Sequence, residues 1–422
     1  MLSTLYTFSC PNYHCPDGDG PQGRVILGTD GNFHGTTWGG EISNGSVFKA
    51  TPDGTLTTLH NFQGPDGYWP EAGVVQGVDG NFYGTTVANR GCGGQWYCGT
   101  VFKITPAGVL TTLYIFCAQQ EQDCPDGTQP HGGLVQGTDG NFYGTTVAGG
   151  NSSAYFCAYE GTCGTVFRIT PGGALTTIYR FCSQGDCSDG GVPEAGLLLG
   201  ADGNFYGTTR FGGASGPCFD DVCGTIFKIT PNGTQTTLHA FQYTDGGQPQ
   251  TGLVQGNDGN FYGTTSEGGA NSCGDYAYGW GTIFKITPGG DLTTLYNFCS
   301  LSNCADGSGA NELVQDTNGT FYGTTQGGGA NDTGTVFSLS VGLGPFVETN
   351  PNAGKIGAAV GILGTNLAGA TGVKLNGIET AFRLVSSTFI EAKVPSGATT
   401  GKVQVKLPSG TLTSNMPFIV LR

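Results

Sequence analysis

One phrase of eight residues occurs six times in this chain, and this repetition constrains the fold more than any other feature. The phrase reads D-G-N-F-Y-G-T-T, with His34 replacing the tyrosine in the first copy and N-G-T-F-Y-G-T-T as the sixth. The copies occupy residues 30–37, 79–86, 139–146, 202–209, 258–265 and 318–325. Successive copies start 49 to 63 residues apart, and a repeat of this length indicates propeller blades or a solenoid.

Two further phrases divide each unit into short strands. A phrase related to G-T-V-F-K-I follows each copy, and a phrase related to L-T-T-L-Y-x-F ends at Phe8, Phe62, Phe116, Phe181, Phe241 and Phe298. In the third unit we predict strands at residues 133–136, 142–146, 165–170 and 175–181, because these segments are rich in aromatic and β-branched residues. Four-stranded antiparallel units of even spacing are typical of propeller blades.

The register of the repeat predicts how the ring closes. The chain begins with the last strand of a unit, at residues 2–8, and the sixth unit ends one strand short, after residues 335–339. Pairing the N-terminal segment into the last blade would cover strand edges that a solenoid must cap. We therefore predict an all-β fold: a six-bladed β-propeller at residues 1–340, closed by its N-terminal strand.

Strand alternation places the connections on two faces. The short D-G and P-x-G turns share one face, named here the turn face. The connections between second and third strands, and the links between blades, share the other. That face carries all fifteen cysteines and is named here the cysteine-rich face. Loops on a rigid scaffold commonly carry binding residues, so we expect the functional site there.

The cysteines predict disulfide bonds. Fourteen form close pairs in the sequence, whereas Cys273 has no near neighbour. There is no C-x-x-C motif and no partnering histidine, so we predict disulfides rather than a metal site. Such bonds indicate an oxidising compartment and thus a secreted or cell-surface protein. The predicted pairs are Cys10/Cys15, Cys92/Cys98, Cys117/Cys124, Cys157/Cys163, Cys182/Cys187, Cys218/Cys223 and Cys299/Cys304.

The charge distribution limits the partners. The net charge is −15, and residues 1–343 carry 28 acidic and 9 basic side chains, whereas residues 344–422 carry 3 and 7. An acidic main body argues against nucleic acid, whose phosphates need clustered Lys and Arg. No apolar run reaches the length of a membrane span, and Met1 is followed directly by a strand phrase rather than by a leader. We predict a monomer with no membrane span in this chain.

The repeat phrases resemble those of the Gloeobacter/Verrucomicrobia repeat of exported bacterial proteins. The resemblance covers residues 1–340 and implies a propeller-like, secreted or surface-anchored protein, with no catalytic residues to transfer. Residues 345–422 contain about seven alternating strands without cysteine and resemble the IPT/TIG domain. This second resemblance implies an immunoglobulin-like β-sandwich that serves as a spacer or an interaction module.

The tryptophans predict a ligand. All four lie in connections of the cysteine-rich face, and carboxylates lie three and two residues after two of them. Aromatic faces can stack on the apolar face of a sugar ring while carboxylates bond its hydroxyls, although tryptophans can also pin long loops to the propeller rim. We predict an extracellular glycan or a surface protein as partner and these ligand-binding residues: Trp38, Glu41, Trp69, Glu71, Trp96 and Trp280.

Two other functions stay open at this point. A glycoside hydrolase or other polysaccharide-active enzyme would need two carboxylates flanking the bond, at about 5.5 Å or 6.5–9.5 Å, and the face offers Glu41, Glu71, Glu194 and Glu267. A structural surface scaffold would need neither a pocket nor exposed tryptophans. We favour a non-catalytic binding protein.

No cofactor is predicted. The sequence D-G-D-G at residues 17–20 resembles part of a calcium loop, which leaves room for a structural calcium ion. Asp-Gly recurs at the same place in every blade, however, so a structural turn is favoured. His34 is expected to pack in the strand position that tyrosine occupies in the other copies.

Overall fold

The structure is a computed structural model of the 422-residue chain. It describes residues 4–9, 15–40, 44–89, 98–118, 124–150, 163–183, 187–213, 223–271 and 279–421. The strands before residue 340 form six separate sheets, and the segments that lead into their first strands line one central channel. This arrangement confirms the predicted six-bladed β-propeller. Within the described ranges, no helix is long and apolar enough to cross a membrane.

Blades 1 to 5 are four-stranded antiparallel sheets whose strands follow chain order from the axis outwards. The first strands are Ile26–Leu27, Val75–Gln76, Val135–Gln136, Leu198–Leu199 and Val254–Gln255. The second strands are Phe33–Thr37, Phe82–Thr86, Phe142–Thr146, Phe205–Thr209 and Phe261–Thr265. The third strands are Ser46–Ala50, Thr100–Ile104, Thr165–Ile169, Thr225–Ile229 and Thr282–Ile286. The fourth strands are Leu56–Asn61, Leu110–Ile115, Leu175–Arg180, Gln235–Ala240 and Leu292–Asn297.

Blade 6 departs from this plan. It contains the corresponding strands Val314–Gln315, Phe321–Gly327 and Val336–Leu339. A short 3-10 turn at Ser302–Cys304 precedes an additional strand, Ser308–Ala310, which pairs with the end of Phe321–Gly327. The third strand therefore has no fourth strand beside it within the described sheet.

The first strands are shorter than the sequence predicts, because the chain leaves the ladder near the axis. In blade 3, residues 133–136 were expected, and the strand is Val135–Gln136. The preceding glycines lie against a neighbouring blade: a Cβ on Gly132 would be 2.6 Å from the backbone nitrogen of Gly196. Near the axis, these residues therefore contact a neighbouring blade instead of forming strand pairs within their own blade.

A ring of stacked aromatic residues joins successive blades. In blades 2 to 5 the tyrosine of the repeat phrase packs face to face on the phenylalanine that begins the second strand of the next blade, with ring centroids 4.0 Å apart and planes inclined by 28° for Tyr83 and Phe142. The tyrosine hydroxyl donates a hydrogen bond to the aspartate four residues earlier, as Tyr83 does to Asp79 at 2.8 Å. The other stacked pairs are His34–Phe82, Tyr143–Phe205, Tyr206–Phe261 and Tyr262–Phe321.

The glycine of the repeat phrase makes room for a second aromatic layer. In blade 3, a Cβ on Gly144 would lie 2.6 Å from Cζ of Phe167 in the adjacent third strand. Phe167 in turn meets Phe116 of the preceding blade edge-to-face, with centroids 5.1 Å apart. The tyrosine and the glycine of the Y-G-T-T sequence therefore both serve packing: the tyrosine contacts the next blade, and the glycine admits the ring of the adjacent third strand.

The interface between blades 6 and 1 lacks these contacts. Tyr322 is 39% exposed and Val336 is 82% exposed, whereas their counterparts Tyr83 and Val101 are fully buried. In the other blades the next blade covers the equivalent residues. The interface between blades 6 and 1 leaves them exposed and is named here the seam.

The N-terminal segment lies beside blade 1 without joining the sheet of blade 6. Tyr6 donates a hydrogen bond to Asp17 at 2.6 Å, and Phe8 contacts Phe48 edge-to-face at 5.5 Å; outer strands elsewhere make the same contacts. Residues 4–9 nevertheless form no strand, so the predicted pairing with Val336–Leu339 is not formed within the described residues. Other fourth strands are tied to their third strands by a short turn, which keeps the entropy of pairing small; this segment has no such turn.

The chain after the propeller forms one hydrogen-bonded sheet of nine strands, named here the C-terminal sheet. Its fully buried core consists of aliphatic residues and Phe418. The predicted immunoglobulin-like division into two sheets stays a prediction. The strands are Val347–Asn350, Ala353–Lys355, Ala359–Gly364, Gly372–Leu375, Ile378–Thr380, Phe382–Ser386, Phe389–Lys393, Gly401–Leu407 and Gly410–Leu421.

The C-terminal sheet is docked on the turn face of the propeller. Ile419, which is 5% exposed, belongs to a core cluster with Tyr143, Leu199 and Phe205 of blades 3 and 4. The Asn350 side chain donates a hydrogen bond to the carbonyl of Leu27 in blade 1 at 2.9 Å. Apolar burial and hydrogen bonding thus both contribute to the attachment.

Gly144→Ala tests the aromatic layer within the blade. The added methyl group would overlap the Phe167 ring, so we expect the free energy of unfolding to fall by about 1–3 kcal/mol. Chemical denaturation measures this change. Gly172→Ala in the same blade is the control, because its Cβ would meet nothing closer than 3.8 Å; equal losses in both variants would contradict the packing argument.

Ile419→Ala tests the docking of the C-terminal sheet. The substitution removes a side chain buried among three propeller residues, and we expect it to cost about 2–5 kcal/mol of unfolding free energy. Ile378→Ala, on the same sheet but 41% exposed, should cost far less. If thermal unfolding of the two variants were indistinguishable, Ile419 would not hold the two parts together.

Candidate functional site

Five polar side chains surround the channel where the chain enters each blade from the cysteine-rich face. Each directly follows a proline and stands two residues before the position at which the chains of the blades converge on the axis. The residue at this position is Gln, Glu or His, depending on the blade. All five line the channel. From blade 1 to blade 5 they are Gln22, Glu71, His131, Glu194 and Gln250.

Two of these carboxylates have basic partners. Nδ1 of His131 in blade 3 lies 2.7 Å from Oε2 of Glu71 in blade 2. Nη1 of Arg210 donates to Oε1 of Glu194 at 2.9 Å, while its Nε donates to the Gln248 side chain at 3.2 Å. All four ionisable groups are partly exposed, so they are anchored by the protein and remain accessible to a ligand.

The next level of the channel consists mostly of glycine. Gly73, Gly133, Gly196 and Gly252 occupy it in blades 2 to 5, whereas blade 1 has Arg24 and blade 6 has Glu312. The Glu312 carboxylate extends over Gly252, whose Cβ would lie 3.4 Å from Oε1. The glycines leave space for these two charged side chains within a channel of about 560 Å³.

The charge of Arg24 affects the pKa of two carboxyl groups, Glu312 of blade 6 and Glu348 of the C-terminal sheet. Glu312 and Glu348 both contact solvent, although protein surrounds them closely enough that desolvation raises the pKa of each carboxyl; Arg24 opposes this shift in both cases. Arg24 therefore interacts with acidic groups from two different parts of the chain.

An aromatic pair lies on the cysteine-rich face, just before one of the five polar side chains in the sequence. These five side chains, Gln22, Glu71, His131, Glu194 and Gln250, are named here the polar ring. The Trp38 and Trp69 rings are stacked, with centroids 5.7 Å apart and planes inclined by 15°. Trp38 is 38% exposed, and the backbone N–H of Trp69 is bonded to the carbonyl of Asn44 at 2.9 Å. Only Pro70 separates Trp69 from Glu71 in the sequence, so the chain passes directly from the aromatic pair to the channel.

The structure places Trp280 away from this group. Trp280 lies between blades 5 and 6 and packs partly buried against the core there. Its indole N–H is buried with no hydrogen-bond partner among the described residues, and its role in ligand binding stays a prediction. Trp96 and Glu41 lie outside the described residues.

Three predicted disulfides are present: Cys117–Cys124, Cys182–Cys187 and Cys299–Cys304. Cys15, Cys98, Cys163 and Cys223 are also disulfide-bonded. Their predicted partners Cys10, Cys92, Cys157 and Cys218 lie outside the described residues, as does Cys273. These bonds, with the absence of a membrane-spanning helix from the described ranges, are compatible with an extracellular protein.

The Asp-Gly sequences form structural turns at the blade boundaries. The aspartate accepts a hydrogen bond from the tyrosine or histidine of the preceding outer strand, at 2.9 Å for Tyr114 and Asp126. Asp17 does the same with Tyr6 and also accepts a bond from the backbone N–H of Ser9. The carboxylate that resembled a calcium ligand is therefore engaged within the protein.

His34 occupies the position of the repeated tyrosine, as predicted. Its ring stacks on Phe82 with centroids 3.9 Å apart, and Nε2 lies 3.1 Å from the Asp30 carboxylate. Nδ1 is buried and has no partner among the described residues. Burial lowers the pKa of the His34 imidazole, while Asp30 opposes the shift.

Sequence reasoning found Trp38, Trp69 and Glu71 but did not bring Arg24, Glu312 and Glu348 into the site. One signal was available. The position after each proline varies among Gln, Glu and His, and the position two residues later is glycine in four blades and charged in two. Residues that vary at equivalent positions of an otherwise uniform repeat are not needed for the packing of the blades. Such positions are therefore candidates for a functional site.

The Gloeobacter/Verrucomicrobia repeat matches the chain over residues 1–219, 155–276 and 220–360. No curated protein matches the sequence. Among solved structures, a fungal alcohol oxidase of the AA5 family in complex with copper is 15% identical, with a TM-score of 0.49, covering 94% of this chain and 85% of that one. Kuenenia stuttgartiensis hydrazine synthase is 13% identical, with a TM-score of 0.48, covering 96% and 97%. Neither likeness is close enough to support an argument about activity.

The pKa of His34 predicts a dependence of stability on pH. Because the folded state binds the proton less readily than the unfolded state, the stability is complete above the unfolded pKa of about 6.5 and is lost as the pH falls below it. We expect the melting temperature to fall more between about pH 7.5 and about pH 5 in the natural protein than in His34→Tyr. His60→Tyr, the same exchange in a more exposed strand, is the control. An equal change of pH dependence in both variants would contradict the assignment to His34.

Proposed function

Because the chain belongs to the Gloeobacter/Verrucomicrobia repeat family, we propose that it is an exported binding protein that holds a carbohydrate at the mouth of its central channel. The binding residues are Trp38, Trp69 and Glu71, together with His131 and Glu194 of the polar ring. The partner is an extracellular glycan rather than a nucleic acid or a membrane.

The stacked Trp38–Trp69 pair beside the Glu71–His131 pair carries this proposal. Trp38 keeps more than a third of its surface exposed, although burial of such a large apolar side chain would be favourable. An exposed aromatic face next to hydrogen-bonding groups suits the two sides of a sugar ring. The apolar C–H side would stack on the indole, and the hydroxyls would bond to the carboxylate and the imidazole.

The rest of the molecule supports a rigid extracellular scaffold. The blades form a rigid scaffold, and a site held on it would lose little conformational entropy on binding. We propose two domains in a monomer: the propeller at residues 1–340 and an IPT/TIG-type immunoglobulin-like domain at residues 345–422. Oxidising conditions favour such disulfides and fit a secreted or surface location.

We favour binding without hydrolysis because the two predicted carboxylates that line the channel already have basic partners: Glu194 is paired with Arg210, and Glu71 lies 2.7 Å from the His131 imidazole. A hydrolase needs one carboxyl that gives its proton to the leaving group, and Glu312, whose pKa is raised by burial, is the channel carboxyl that suits this role. Appearance of a new reducing end from a bound oligosaccharide, lost in Glu71→Gln, would favour the enzyme instead.

Trp38→Ala and Trp69→Ala test the site on a glycan array followed by calorimetry with the best glycan. Each variant removes one stacking surface, and we expect an affinity loss of about tenfold, corresponding to about 1.4 kcal/mol. Trp280→Phe is the matched control, since Trp280 lies elsewhere and the exchange keeps an aromatic ring. Glycan binding that survives in both alanine variants, or no binding by the natural protein, would overturn the proposal.

A further inference from the structure

The C-terminal sheet contains a groove of its own, distinct from the channel of the propeller. The groove has a volume of about 860 Å³, and ligand pockets commonly measure about 300–1,000 Å³. The residues that line it all lie between positions 371 and 413, whereas the channel is lined by residues between positions 22 and 312. The two cavities therefore belong to different parts of the chain and share no residue.

Strand alternation gives this groove a polar floor. Val373 and Val405 are buried in the core of the C-terminal sheet, and successive side chains of a strand point to opposite faces. Lys374 and Lys406 therefore project from the other face, and both line the groove. Lys374 lies opposite Gln404 in the antiparallel register, so the two lysines are diagonal neighbours on adjacent strands, about 7–8 Å apart. The floor thus presents two neighbouring ammonium groups.

Both ammonium groups stay available to a ligand. Lys374 and Glu379 approach to 3.5 Å, but their side chains are 46% and 81% exposed, and exposed pairs of this kind contribute little. Lys406 has no ion-pair partner among the described residues. Residues 344–422 carry 7 basic and 3 acidic side chains, so the surrounding sheet does not cancel these charges. The groove therefore favours an anionic ligand, although the propeller itself is acidic.

Polar side chains without partners accompany the two lysines. Gln404, Thr411 and Thr413 line the groove, and their side chains have no hydrogen-bond partner within the part of the chain that the structure describes. An amide and two hydroxyls can both donate and accept hydrogen bonds, as a sugar hydroxyl does. Phe382, which is half-buried, also lines the groove and offers an apolar surface. The groove thus combines positive charge with the polar and apolar groups that suit a sugar ring.

We propose that the C-terminal sheet binds an acidic polysaccharide whose sugar rings carry carboxylates. Lys374 and Lys406 pair with the carboxylates, while the side chains of Gln404 and the two threonines bond to the hydroxyls. Phe382 contacts the apolar face of a ring. This site is additional to the one at the mouth of the channel and does not depend on it, so the chain has two places for a glycan.

An oligogalacturonide, its fully methyl-esterified form and poly-L-glutamate test the ligand class by calorimetry on the full chain. The ester keeps the sugar rings and removes the negative charge, whereas the polypeptide keeps the charge and has no sugar. We expect the acidic oligosaccharide to bind about tenfold more tightly than either, with its advantage over the ester shrinking at high salt. An ester or a polypeptide that binds as tightly as the acid, or no binding of the acid, would overturn this inference.

Lys374→Gln and Lys406→Gln locate the acidic oligosaccharide on the protein. Each removes one positive charge from the groove and keeps a polar side chain, and we expect each to weaken binding about threefold. Lys355→Gln is the control, because it removes the same charge from an exposed position of the C-terminal sheet outside the groove. Binding that is unchanged in both groove variants, or that falls equally in the control, would overturn the site in the groove and leave the proposal for the channel standing.

Discussion

The propeller depends on the stacking of each blade's tyrosine against the phenylalanine of the next blade. The stack buries two large rings, and the aspartate of the preceding turn satisfies the hydroxyl that would otherwise be buried without a partner. One eight-residue phrase supplies the aspartate, the phenylalanine and the tyrosine. It also supplies the glycine that admits a third ring from the same blade. The same contacts therefore recur at the five interfaces between blades that follow each other in the chain.

The seam shows the effect of losing this interaction. Tyr322 and Val336 are exposed because blade 1 does not cover them. Two other elements connect the two sides: the N-terminal segment bonds to blade 1, and residues 346–350 attach to Thr317 on one side and Leu27 on the other. The C-terminal sheet thus connects two blades that do not stack on each other.

Function lies where the repeat is irregular. The stacked rings are nearly identical at five of the six interfaces, because these interfaces need the same packing. The residues around the channel differ: Glu71, His131 and Glu194 follow prolines that are equivalent, and Arg24 and Glu312 stand where other blades have glycine. A symmetric scaffold with an asymmetric set of polar side chains can recognise an asymmetric ligand at its axis.

The sequence by itself determined the number of blades, the strand order and three observed disulfides, since these features arise from local phrases that recur with their turns. It also placed Trp38, Trp69 and Glu71 on one face, because strand alternation fixes the face of each connection. Only the tertiary structure decided that Trp38 stacks on Trp69, that Glu71 lies 2.7 Å from His131, and that Glu312 extends over Gly252 of the preceding blade. It also left residues 4–9 outside the last sheet. Contacts between different blades depend on distances across the ring, and a one-dimensional repeat records the spacing along the chain but not the spacing across the axis.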